Sequence, residues 1–67
     1  MTRVKRMAER IQELRGRRGL TQEQLAAKAG LSRGYLARLE TMRHVPTLLT
    51  LEKLAKALGV KVARLLE

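Results

Sequence analysis

Apolar residues recur along this chain three and four positions apart, and the runs are broken by glycines, which is the mark of several short amphipathic helices. Met7, Ile11 and Leu14 form the first stripe, with Arg3, Lys5, Arg6, Arg10, Glu13, Arg17 and Arg18 mostly on other faces. This spacing predicts a helix from about Val4 to Arg18. Gly19 ends it, Leu20 returns to the core, and Thr21 with Gln24 three positions on has the form of a capping box. A second helix is therefore expected over residues 22–29. Gly30 then supplies the left-handed residue of a sharp turn, Leu31 its apolar anchor, and Ser32 the cap of a third helix from Arg33 to about Glu40. So short a connection forces the two helices to cross steeply, with Leu25, Ala26, Ala29, Leu36 and Leu39 between them. The third helix is left proud of the surface.

Thr41 to Val45 reads as a loop, and Pro46 followed by Thr47 suits the start of a fourth helix. Leu48, Leu51, Leu54, Ala55 and Leu58 fall at core spacing along it, and Gly59 stops it. Val60, Val62, Leu65 and Leu66 are expected to form a short fifth helix or turn that closes the core. The segments LAAKAGL and LAKALGV share only the ending of helix, glycine and apolar residue, so they do not mark a repeat. No linker or low-complexity tract interrupts the chain, and residues 1–67 are read as one domain.

Composition agrees with an all-α bundle. In a chain of 67 residues, 45% are apolar, yet Tyr35 is the sole aromatic and Leu, Ala, Lys, Arg, Gln and Glu abound. That length is near the lower limit for an unaided core. The chain has no cysteine, which rules out disulfides and thiolate metal sites, and its single histidine, His44, cannot assemble a metal site or a triad without partners. Its six acidic residues are scattered, which argues against an enzyme, and no cofactor or metal is expected. No apolar stretch approaches the roughly 20 residues that span a bilayer, and the basic start MTRVKR leads into an amphipathic pattern rather than a signal peptide. A soluble cytoplasmic protein is the expectation.

Charge narrows the choice of partner. Fifteen Lys and Arg against six Asp and Glu leave a net charge of +9, which attracts polyanions at long range. A membrane-surface helix would gather its leucines on one long face, whereas here they are divided among short capped segments. Double-stranded DNA is the favoured partner, met through a helix-turn-helix over residues 21–40.

The run IQELRGRRGLTQEQLAAKAGLSRGYLARLE, followed by PTLLTLEKLAKALGV, resembles the DNA-binding domain of the XRE type, which includes the lambda-like phage repressors and Cro. The likeness covers Ile11 to about Leu66. It implies a compact five-helix, lambda-repressor-like bundle, with the third helix placed in the major groove. Gln22 matches the family glutamine that grips a phosphate and braces the recognition helix. Ser32, Arg33, Gly34, Tyr35 and Arg38 occupy the positions that face bases or the adjoining backbone in such repressors. Arg33 and Arg38 are the strongest readers on chemical grounds, since a guanidinium pairs in bidentate fashion with guanine O6 and N7. Tyr35 is a candidate for a phosphate or a thymine methyl. Arg43 and His44 lie in the loop where family members hold a phosphate, and Arg15 and Glu40 match a partly buried ion pair that ties helix one to the end of helix three.

Two departures from the family pattern bear on the site. Met42 stands where a glycine is usual, so the turn there is expected to take a conformation that a Cβ tolerates. Gly34 puts no side chain on the reading face and weakens its helix by roughly 1 kcal/mol relative to alanine. With the chain ending at Glu67, no appended sensing or oligomerisation domain is expected, and regulation falls to dimerisation, abundance or a partner. A homodimer on a palindromic operator is the natural geometry. Leu49 is its first candidate contact because it falls off the core stripe, with Val62, Leu65 or Leu66 beside it. The function expected is a transcriptional regulator, and a repressor before an activator. The alternatives are an antitoxin that binds a toxin protein and its own promoter, a restriction–modification controller, and a nonspecific basic chromatin protein.

Overall fold

The chain folds into five helices, α1 (Arg3–Arg17), α2 (Gln22–Ala29), α3 (Arg33–Glu40), α4 (Leu48–Leu58) and α5 (Val62–Leu66), in a computed structural model that describes residues 3–67. Met1 and Thr2, which the sequence reading includes in the same domain and in the basic start, lie outside the described residues. The helix starts follow the caps that the sequence supplies. Thr21 Oγ1 accepts from the Gln24 N–H while the Gln24 side chain accepts from the Thr21 N–H, a reciprocal capping box. Ser32 Oγ accepts from the Tyr35 N–H, and Thr47 Oγ1 accepts from the Thr50 N–H, so α3 and α4 are each capped by a hydroxyl.

The helix ends share one device. At Gly30 the backbone turns left-handed (φ 70°), the Gly30 N–H reaches back to the Ala27 carbonyl, and the Leu31 N–H reaches the Ala26 carbonyl at 2.8 Å. This double closure satisfies carbonyls that the end of α2 would otherwise leave open, and it reverses the chain within Gly30, Leu31 and Ser32. The same pair of bonds closes α1 at Gly19 and α4 at Gly59. It also closes α3, where the residue at the turn is Met42: its N–H bonds to the Leu39 carbonyl and the Arg43 N–H to that of Arg38. Met42 has φ 66°, so the loop keeps the glycine conformation and places a Cβ in it. The expectation that the turn would relax to suit a side chain is therefore corrected. The two hydrogen bonds at the end of α3 outweigh the local strain.

The core is one cluster that draws on every helix, with Ile11, Leu25, Leu36, Leu54, Leu58 and Leu65 at its centre. α2 packs on α4 and α3, α1 on α3 and α5, and α4 on α5. Leu25, Ala26, Ala29, Leu36 and Leu39 are buried, as the stripes of α2 and α3 require. Two leucines depart from expectation. Leu48 is 65% exposed, because it opens the first turn of α4 beyond the core that Leu51 and Leu54 enter. Leu66, expected to help close the core, is 60% exposed, whereas Leu65 closes it as expected at 0% exposure, which removes it from the free surface, and Val62 packs partly against that core. Leu49 and Leu66 do stand exposed. α1 also ends at Arg17, one residue before the expected bound, where the Arg18 N–H is shared between the Leu14 and Arg15 carbonyls and the helix passes into the turn at Gly19.

Candidate nucleic-acid interface

α3 is anchored at its far end by a buried carboxylate. Glu40, the last residue of the helix, accepts from Arg15 Nε at 2.8 Å and Arg15 Nη2 at 3.1 Å, and from Gln22 Nε2 at 3.0 Å. Its own carbonyl accepts from Gln12 Nε2 at 2.8 Å. Arg15 spends a third donor on the Leu20 carbonyl. The Glu40 side chain is 3% exposed and that of Arg15 22%. A carboxylate at a helix C-terminus meets the negative end of the helix dipole, so it is held there only because these donors surround it. The effect is to lock α3 to α1 and to the first turn of α2.

Burial of Leu36, Leu39 and Glu40 turns the opposite side of α3 outward. Arg33, Gly34 and Arg38 lie on that exposed side, and Ser32 is exposed at its start. Neither guanidinium has a hydrogen bond or ion pair among the described residues, so their donors are left for a partner outside the chain. The contrast with α1 is informative, since Arg10 and Arg17 there are both paired with Glu13, and Arg64 near the C-terminus with Glu67. Glu40 is the only acidic residue of α3, and it is spent on Arg15. The exposed face of α3 is thus purely cationic.

The remaining candidates sit around this helix in different ways. Arg43 and His44 are exposed just past its end. Tyr35 is half-buried, with its hydroxyl 3.5 Å from Thr50 Oγ1 and its ring 5.5 Å from that of His44 at 51°. Its ring leans on the core, so it offers an edge rather than a whole side chain. Gln22 is half-buried and turned toward Glu40, which leaves one amide hydrogen and the amide oxygen for anything outside. A shallow open depression beside it is lined by Arg15, Thr21, Gln22, Glu23 and Arg33.

The family resemblance implied the Arg15–Glu40 pair, while Gln12 and the Tyr35–Thr50–Thr47 hydroxyl contacts were missed. Gln12 precedes Arg15 by one helical turn, so a partner of Arg15 lies within its reach too; that spacing was the available signal. No pattern in the chain announces the Thr50 contact. Among the described residues no group of His, Cys, Asp and Glu could hold a metal ion, and no helix is long and apolar enough to cross a membrane.

A capped helix pair joined by a glycine turn, with the second helix exposed and basic, defines a helix-turn-helix protein. A family model described as "Helix-turn-helix" matches residues 11–65, and the chain belongs to that family. It is 53% identical over 57 residues to the immunity repressor protein of Bacillus phage phi105, covering 85% of this chain and 40% of that one. It is 43% identical over 60 residues to the control protein C.SmaI of Serratia marcescens, covering 90% and 71%. The crystal structure of the restriction-modification controller protein C.AhdI from Aeromonas hydrophila superposes with a TM-score of 0.90 at 35% identity, covering 92% and 94%. The chain spans 40%, 61% and 48% of the length of three curated relatives, so it matches one part of longer proteins in these cases.

Proposed function

We propose that this chain is a sequence-specific, double-stranded-DNA-binding transcriptional regulator that lays α3 in the major groove of its operator and performs no catalysis. The observation that carries this reading is the exposed face of α3, where Arg33 and Arg38 have no hydrogen-bond or ion-pair partner among the described residues while Glu40 fixes the helix from behind. A rigid element presenting free guanidinium forks suits guanine O6 and N7, and each bidentate pair is worth about 1–3 kcal/mol of discrimination. Ser32, Gln22, Arg43 and His44 flank that helix and serve phosphates, which position the protein without reading sequence. Tyr35 supports the reading helix and offers its edge to a backbone or a thymine methyl. Residues 1–67 act together as one DNA-binding unit in the cytoplasm.

Two copies on a palindromic site are the geometry that suits this motif. Leu49 and Leu66, both exposed, are the contacts proposed between copies; Leu65 is withdrawn from that role by its burial. Likeness to a phage immunity repressor supports repression, and likeness to C.SmaI and C.AhdI supports the second reading, control of a restriction–modification system. No comparison supports the toxin-binding alternative. Selection of bound duplexes from a random library tests the proposal. The expected product is a pair of inverted half-sites about 34 Å apart, bound more tightly than random DNA at both low and high salt. Equal affinity for selected and random duplexes overturns it.

A further inference from the structure

Gly34 has no structural reason to be glycine. Its backbone is ordinary helix, it is exposed, and a Cβ built on it meets no backbone from outside its own helix and no core atom. Apart from its two chain neighbours and the backbone of α3 itself, the one atom within 4 Å of that position is Arg38 Nη1, in ordinary van der Waals contact at 3.6 Å. Side chains four apart on a helix lie on one face and lean toward its N-terminus, so Arg38 runs back along α3 and rests its guanidinium over the bare Gly34 backbone. No hydrogen bond or ion pair from another described residue holds that guanidinium, and the space beside it at Gly34 is free of any side chain.

We infer that Gly34 is a specificity-determining position that acts through Arg38: by leaving a trough on the outer face of α3, it directs the Arg38 guanidinium toward the N-terminal half of the helix and selects which base pair Arg38 reads. This rests on the DNA-binding reading above. Gly34 is a positioning residue, and the groups that touch bases are those of Arg38. Any side chain longer than alanine fills the trough, and the guanidinium then swings off the helix axis to a different base edge or to a phosphate.

The test is a double-substitution cycle read by in vitro selection, with Gly34→Leu, Arg38→Ala and the combination compared with the unaltered chain. Leucine is a strong helix former at an exposed position, and thermal unfolding verifies that each variant is folded. Arg38→Ala is expected to weaken discrimination at one base pair of each half-site by about 5- to 150-fold. Gly34→Leu is expected to change the preferred base at that same pair, and to change nothing further there once Arg38 is alanine. Equal and additive loss of affinity for every duplex, with or without Arg38, overturns the inference, because Gly34 would then serve only as clearance for the DNA backbone. A change confined to some other base pair overturns it as well. If the unaltered chain selects no sequence at all, the DNA-binding reading itself falls and takes this inference with it, an outcome separable from the other two.

Discussion

Arg15 and Glu40 join α1 to the end of α3 through two hydrogen bonds of 2.8 and 3.1 Å, and their exposures are unequal, 22% for the arginine side chain and 3% for the glutamate. The asymmetry predicts which half of the pair is harder to lose. Arg15→Ala strands a carboxylate with little but Gln22 for company, and should cost about 3–5 kcal/mol. Glu40→Ala leaves a guanidinium that can turn toward water and should cost less. Urea unfolding of both variants checks this, and losses under about 1 kcal/mol in each would show the pair to behave as an exposed one.

Met42 holds a left-handed conformation that costs an L-residue roughly 1–2 kcal/mol, while glycine there would lose about 0.5–1 kcal/mol to its freer unfolded chain. The difference favours glycine. Met42→Gly should therefore stabilise the fold by about 0.5–1 kcal/mol, raising Tm by about 2–8 °C, since the methionine side chain is half exposed and contributes little packing. Met42→Ala keeps the strain and should show no such gain. Calorimetry of the two variants separates backbone conformation from side-chain loss.

Leu65 and Leu66 are neighbours in sequence with opposite environments, 0% and 60% exposed. Leu65→Ala should cost about 2–5 kcal/mol in chemical denaturation, and Leu66→Ala less than about 0.5 kcal/mol at a concentration where the chain is monomeric. If Leu66 joins two copies, its substitution should instead lower the concentration dependence of Tm. Similar losses from both variants would contradict the burial described for α5.

Why the sequence discriminated so well in some places and poorly in others follows from the range of the forces involved. Thr21, Gly30, Ser32 and Gly59 act within a turn of where they stand, so the ends of α2, the start of α3 and the stop of α4 were legible locally. Leu48 and Leu66 were misplaced because periodicity identifies a face without saying how far a neighbouring helix reaches to cover it, and α5, at five residues, is too short to phase. Met42 was misread since its φ follows from the two hydrogen bonds that close α3, which only the path of the next residues reveals. At the candidate site, residue chemistry marked Arg33 and Arg38, but Gln22 carries a neighbour, Glu40, that is 18 positions away in sequence and close only in the fold.

Arg33 and Arg43 are both exposed and both free of ion pairs among the described residues, yet they should fail differently when removed. Arg33 opens the first turn of α3, the turn proposed to enter the groove, whereas Arg43 follows the turn at Met42 and stands beside the helix end. Substituting alanine for Arg33 should relax the preference at particular base pairs, by about 1–3 kcal/mol against the best duplex, with the preference elsewhere retained. Removing Arg43 should weaken every duplex alike and lower the slope of log affinity against log salt by about 1, because one counterion release is lost and no base contact with it. Titrations of selected and scrambled duplexes over a range of salt concentrations distinguish the two. A uniform loss from the Arg33 substitution, or a base-specific one from the Arg43 substitution, would mean that the groove and backbone roles are assigned to the wrong ends of α3.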